Sequence, residues 1–388
     1  MDQLVQETFI DKLRWNLPWL TRYPLNRVKA MLGTQLFERK RLIVSVANHF
    51  EPGWAPNEIL DRKTQAARLK EYVKTARDIG DSVRDSDGTK FRHTNFYPAE
   101  QYDAELLDMM ADMQAEGLGE VEVHLHHGVA RPDNADDLRA MLSEFRDILA
   151  QRHQCLSVEA GSDQPRYAFV HGNLALANSC NGKYCGVDNE MAILRDTGCY
   201  ADMTMPSAPD KTQVPMINSI YEYTGDPECA VPHRKGRRVG VREGRPQLPL
   251  MITGPLVFEW IDPARGYPRP RIDDGSLTAA LGHDMSRIRR WQSAGITVDG
   301  RSDWVFIKLY CHGFFDDDQS ACIGEDAKRF FGQMVEDGER TGRYTTHFVS
   351  AREMYNLAMA AIDGKSGDPN EYRDHLLTPI MRKAAMKV

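Results

Sequence analysis

Histidines that lie two residues from another histidine or a carboxylate are the residues of this chain best suited to chemistry. One group is Asn48-His49-Phe50-Glu51, directly after a β-branched run. A second is Glu122-Val123-His124-Leu125-His126-His127. In an extended chain, residues two apart face the same side. His49 then joins Glu51, and His124 joins His126 with Glu122 below them. Two such pairs on neighbouring strands would offer three or four nitrogen and oxygen ligands to one divalent ion. Imidazole and carboxylate suit a divalent transition metal, zinc foremost, with iron, cobalt, nickel or manganese as alternatives. His127 has the opposite parity, but strand ends twist, so it is counted with His49, His124 and His126 as a metal ligand. Further polar residues sit at strand ends: His171 and Asn173 in FVHGN, Asp202 after CYA, and Lys308 and His312 in IKLYCHG. Asp202 would cap or orient a histidine rather than touch the metal. Lys308 could bind a carboxylate or phosphate, or bridge to Glu122.

These residues need a frame that gathers strand ends. Residues 41–47, 91–97, 121–127, 167–172, 199–205 and 304–313 read as strands, by their apolar and β-branched runs. Helical patterns fall between them at 61–80, 99–117, 134–153 and 189–198, and again around 325–337 and 350–364. Asn134 or Asp133 caps one of these helices, and Ser350 with Glu353 matches a capping box. Repeated strand–helix alternation implies an α/β fold with a parallel sheet, whose active site collects at the carboxyl ends of the strands. The strand at 304–311 is therefore expected near those at 41–47 and 121–126. Residues 1–40 read as an N-terminal helical extension, mixing Trp15, Leu17, Trp19, Leu20, Leu25, Val28 and Leu32 with Arg14, Arg22, Arg27 and Lys29. It would pack on its own domain, on a partner subunit or on a membrane surface. Residues 41–388 form the catalytic domain, and 207–275, rich in Pro, Gly and Arg, form a loop-rich insertion.

Composition removes several function classes. The 388 residues carry 49 basic and 56 acidic side chains, a net charge of −7, with the basic ones dispersed. That argues against a nucleic-acid partner. No run approaches the roughly 18 apolar residues of a membrane span, so no integral membrane segment is expected. The amino terminus lacks the pattern of a secretory signal, so the expected location is cytoplasmic. Seven cysteines give no disulfide framework, and Cys180 and Cys185 read as reduced thiols in a turn. There is no G-x-S-x-G nucleophile motif, no GKS/GKT phosphate loop and no G-x-G-x-x-G after a strand.

In the order of its motifs the chain resembles the polysaccharide-deacetylase-like (NodB-homology) superfamily of glycoside hydrolases and deacetylases. The likeness runs over about residues 41–320, through VSVANHFEP, EVEVHLHHG, FVHGN and IKLYCHG. It differs at Asn48-His49-Phe50-Glu51, where the family has paired aspartates. The histidine spacing at 124–127 also differs, as does His171-Gly172-Asn173, where the family has Arg-Pro-Pro. The resemblance implies a distorted (β/α) barrel and a metal-dependent hydrolase. The bond cleaved would be a carbon–nitrogen bond, an N-acyl amide on a sugar or related small metabolite. Glu51 would then take a proton from water and His312 would protonate the leaving amine, with Asp202 also catalytic. His171, Asn173 and Lys308 would contact the substrate. Two other readings stand beside this one: a glycoside hydrolase on the same frame, and a non-catalytic protein that binds metal or carbohydrate. A homo-oligomer is compatible with all three.

Overall fold

The apolar runs become the strands of one mostly parallel, 12-stranded sheet in the computed structural model, which describes residues 8–34, 39–56, 58–261 and 269–381. Residues 1–7 and 35–38 of the expected extension, 262–268 of the insertion and 382–388 at the carboxyl end lie outside the described residues. Numbered in chain order, the sheet strands are β1 (Lys40–His49), β2 (His93–Pro98), β3 (Gly119–Leu125), β4 (Ser157–Glu159), β5 (Pro165–His171) and β6 (Cys199–Asp202). They continue with β7 (Ile220–Tyr223), β8 (Gly236–Arg238), β9 (Leu250–Ile252), β10 (Trp304–Cys311), β11 (Tyr344–Phe348) and β12 (Leu377–Pro379). Neighbours run β8-β7-β9-β6-β5-β3-β2-β1-β10. β11 is added on β1, and β12 reaches β5 through β4. β1 lies parallel to both β10 and β2, so the first and last site strands are adjacent, as expected.

Among the described residues no strand pairing joins β8 or β9 to β10. The space beside β10 is filled by the insertion instead. Gly254 lies so close to β10 that a Cβ there would sit 2.5 Å from the Lys308 carbonyl, and Ser276, directly after the insertion, bridges Tyr310.

Both faces of the sheet are apolar, which is why its strands read as continuous runs rather than alternations. One face packs Leu42, Val44, Val121, Val123, Tyr167 and Phe169 under a helical layer. In that layer Leu138, Leu142, Phe145 and Leu149 form the buried stripe of the helix Ala135–Gln151, each contributing about 1.5–3 kcal/mol. Asn134 caps this helix through the Asp137 N–H. The other face packs Ile43, Ala47, Ala168, Val170, Trp304 and Phe306 against the helix Ala351–Ile362. That helix is buried along its whole length and opens with the expected Ser350/Glu353 capping box.

The extension forms two helices, Phe9–Leu20 and Tyr23–Thr34. Trp19 is buried against Ala208, Ile217 and Leu256, and stacks on Phe258 of the insertion at 5.7 Å. On the opposite side Ile10, Leu13 and Leu17, and likewise Leu25, Val28 and Leu32, remain exposed. No described helix is long and apolar enough to cross a membrane.

Candidate metal centre

Alternation along the strands sorts the histidines onto two sides of the sheet. His49 and His124 continue the face of Ile43, Ala47 and Glu122. His171 continues the face of Tyr167 and Phe169. β3 ends at Leu125, so His126 and His127 lie just beyond it and keep their opposed parities. The expected single centre is therefore two.

The first centre holds Glu51, His124 and His126, whose ligand atoms lie within 4.8 Å of one another. Glu51 Oε1 is 3.7 Å from His124 Nε2 and 3.1 Å from His126 Nε2. The far side of each ring is anchored. His124 Nδ1 meets the Val170 carbonyl at 2.8 Å, so that nitrogen carries the proton. Its Nε2 is left with a lone pair and no hydrogen-bond partner, although the ring is fully buried. His126 Nδ1 meets Glu100 Oε1 at 2.7 Å, and Glu100 Oε2 accepts the His126 backbone N–H. A carboxylate or carbonyl behind each imidazole is how metal-binding histidines are oriented. The donor set thus fits a divalent ion.

Burial opposes charge here, but it is overridden. The two imidazoles that face it, His126 at hydrogen-bond distance and His124 beyond it, hold Glu51 well below the usual carboxylate range. Against the cost of burial, Glu100 and Glu51 push His126 up to about 10. His49 and His312 complete the centre. The His49 ring lies 4.7 Å from that of His124 and 4.5 Å from that of His312. Burial, together with the neighbouring histidines, holds His49 well below its ordinary value; His312 is lowered too, chiefly by burial. His312 stacks on Phe315, which stacks on Trp54 at 4.0 Å. Gly172 makes the approach of β5 possible, since a Cβ there would lie 2.3 Å from the His126 ring.

The second centre corrects two assignments. His127 and His171 do not join the first group. They meet Cys185 and Glu190, all four buried, again with ligand atoms within 4.8 Å of one another. The cause is parity: both side chains leave the opposite side of the sheet from His124. Cys185, read as a plain thiol, is part of this group.

Other placements also differ from expectation. Asp202 orients Thr204 rather than a histidine, accepting both its N–H and its hydroxyl. Burial raises Asp202 to about 7. Lys308 donates to the Met203 carbonyl, not to Glu122, and burial lowers it to about 8. Glu122 accepts from Tyr200 and from the Ala168 N–H, and burial raises it to about 8. Asn173 gives its backbone N–H to His171 Nδ1. Glu51, expected as a proton acceptor or a ligand, stands where a ligand would. His49 lies beside the three-residue ligand set rather than within it.

Sequence reading missed Glu100, Cys185 and Glu190. Glu100 was findable, because it lies two residues past the end of β2, the strand that had been given no site residue. Comparisons with family models, with curated proteins and with solved structures give no match to this chain.

Proposed function

We propose that the chain is a metal-dependent hydrolase that cleaves an N-acyl amide bond on a sugar or related small metabolite. The observation carrying this reading is the convergence of His124 Nε2 and His126 Nε2 on Glu51 Oε1, with the far nitrogen of each ring anchored. Glu51, His124 and His126 would hold a divalent ion, zinc by preference, which would supply Lewis acidity toward an acyl oxygen and acidify water. His312, uncharged and half-buried at the mouth, is the proton acceptor, and it then returns the proton to the leaving amine. His49 is buried between His124 and His312, its ring 4.7 Å and 4.5 Å from theirs, and fills the space between them. Trp54 and Phe315 extend His312 into an aromatic wall, which suits the apolar face of a sugar ring.

The same reading takes the sheet, with the insertion beside β10, as a distorted barrel of the polysaccharide-deacetylase type acting in the cytoplasm. A glycoside hydrolase is less well supported. It needs two free carboxylates flanking the bond, and Glu51 is taken by two histidines while Asp202 is buried on Thr204. The test is product analysis with N-acetylated and N-formylated amino sugars. Release of acetate or formate that stops on metal removal and in Glu51→Ala supports the proposal. Release of a reducing sugar with the acyl group intact, or acyl release indifferent to both changes, contradicts it.

A further inference from the structure

The second centre is separate from the proposed reaction and has its own logic. His127 Nε2 lies 3.2 Å and His171 Nε2 3.9 Å from Glu190 Oε1, while Cys185 Sγ lies 3.4 Å from Glu190 Oε2. His171 is fully buried, and its Nε2, aimed at this group, has no hydrogen-bond partner. His127 is backed by Asp133, whose Oδ2 lies 2.9 Å from Nδ1, as a ligand histidine commonly is. Cys185 Sγ receives the N–H groups of Asn178 and Val187 and points its own S–H at Glu190 Oε2; burial and Glu190 keep it a thiol without an ion, and a bound cation between the two would displace that proton. No side chain of the group opens to solvent.

We infer that His127, His171, Cys185 and Glu190 form a closed, structural zinc site that pins the loop after β5 onto the sheet. Two imidazoles, a thiolate and a carboxylate are a four-ligand set with no open position for substrate, which is the structural rather than the catalytic pattern. In a tetrahedral zinc shell the ligand atoms stand about 3.3–3.8 Å apart, close to the separations already present. Binding through His171 Nε2 places that ring's proton on Nδ1, so the long 3.3 Å contact from the Asn173 N–H is given up. The site explains the loop. Between β5 and the helix Glu190–Thr197 the chain has left-handed backbone at Leu174, Ala177, Asn178, Asn181 and Tyr184, none of them glycine. Such residues persist only where their surroundings hold them. A metal would tie both Cys185 and Glu190, at the end of that loop, to β3 and β5. His126 and His127 are consecutive, so the structural site would also set the position of the first centre.

The sulfur makes the test specific, because the first centre has none. The metal-stripped full chain is titrated with cobalt(II) alone and its near-ultraviolet absorption followed. A thiolate-to-cobalt charge-transfer band that saturates by two equivalents, one for each centre, is expected. It should be lost in Cys185→Ser and kept in both Cys180→Ser and Glu51→Ala/His124→Ala. Absence of the band in wild type, or its survival in Cys185→Ser, overturns the site. If Cys185→Ser does not fold, zinc X-ray absorption of the Glu51→Ala/His124→Ala chain, which keeps only the second centre, decides. One sulfur at about 2.3 Å supports the site, and a shell of nitrogen and oxygen alone overturns it. Loss of the first centre alone leaves the band in place, so the two proposals fail separately.

Discussion

His124 is fixed at one end of its ring by the Val170 carbonyl, and the other end has nothing to bond but Glu51 or an ion. His126 is in the same position, with Glu100 behind it. Glu100→Gln should therefore weaken metal affinity about 10–100-fold while leaving the fold intact, as read by chelator competition and circular dichroism. The proton on His126 adds a pH dependence. In the metal-free chain its value is raised from 6.5 to about 10. Its contribution to stability is thus fully present below 6.5 and is lost as pH rises through about 10. The same proton must leave before a metal binds, so affinity should climb about tenfold per pH unit between those values. A flat profile in competition titrations would remove His126 from the ligand set. At His312 the expectation is a split: His312→Ala should lower turnover about 10²–10⁴-fold with metal content unchanged. Joint loss of metal and turnover would make His312 a ligand.

Strand ends, rather than single residues, decide which groups meet. β5 brings Gly172 against the His126 ring, where a Cβ would lie 2.3 Å away. Gly172→Ala should displace that ring and cost about 10²-fold in turnover, although residue 172 touches no substrate. Kinetics together with metal content would check this, and unchanged activity would mean that the two strands can part. The strands at this end were legible because their runs are long and apolar, and the pairing of His124 with His126 followed from period-two alternation. Alternation also had the answer for His127, whose parity prevailed over strand-end twist. What was not legible was the company it keeps. Cys185 and Glu190 reach His127 and His171 only because a loop without regular structure folds back over the sheet. Nothing in local sequence spacing encodes that return. Glu122 and Lys308 share an inward parity, yet they bond to different partners, because a shared face does not fix a shared neighbour.

Across the whole molecule, the candidate metal centre and a buried ion-pair network occupy opposite ends of the sheet. Near the amino-terminal ends of β2 and β3, a cavity of about 660 Å³ is lined by Arg92, Glu120, Arg352, Glu353, Arg373 and Asp374. Arg352 is buried there and reaches Glu120 at 2.8 Å and Asp374 at 2.7 Å. Arg352→Ala leaves Glu120 without this partner and should cost about 3–5 kcal/mol in denaturant unfolding, with metal content per folded chain unchanged. A small effect would mean that water or Arg92 takes over. The candidate metal centre lies at the other end, on the pair of histidines that face Glu51. It is tested most directly by elemental analysis of wild type and of His124→Ala/His126→Ala, prepared side by side after mild dialysis. About one divalent ion fewer per chain is expected in the variant. Equal metal in the two preparations would contradict it.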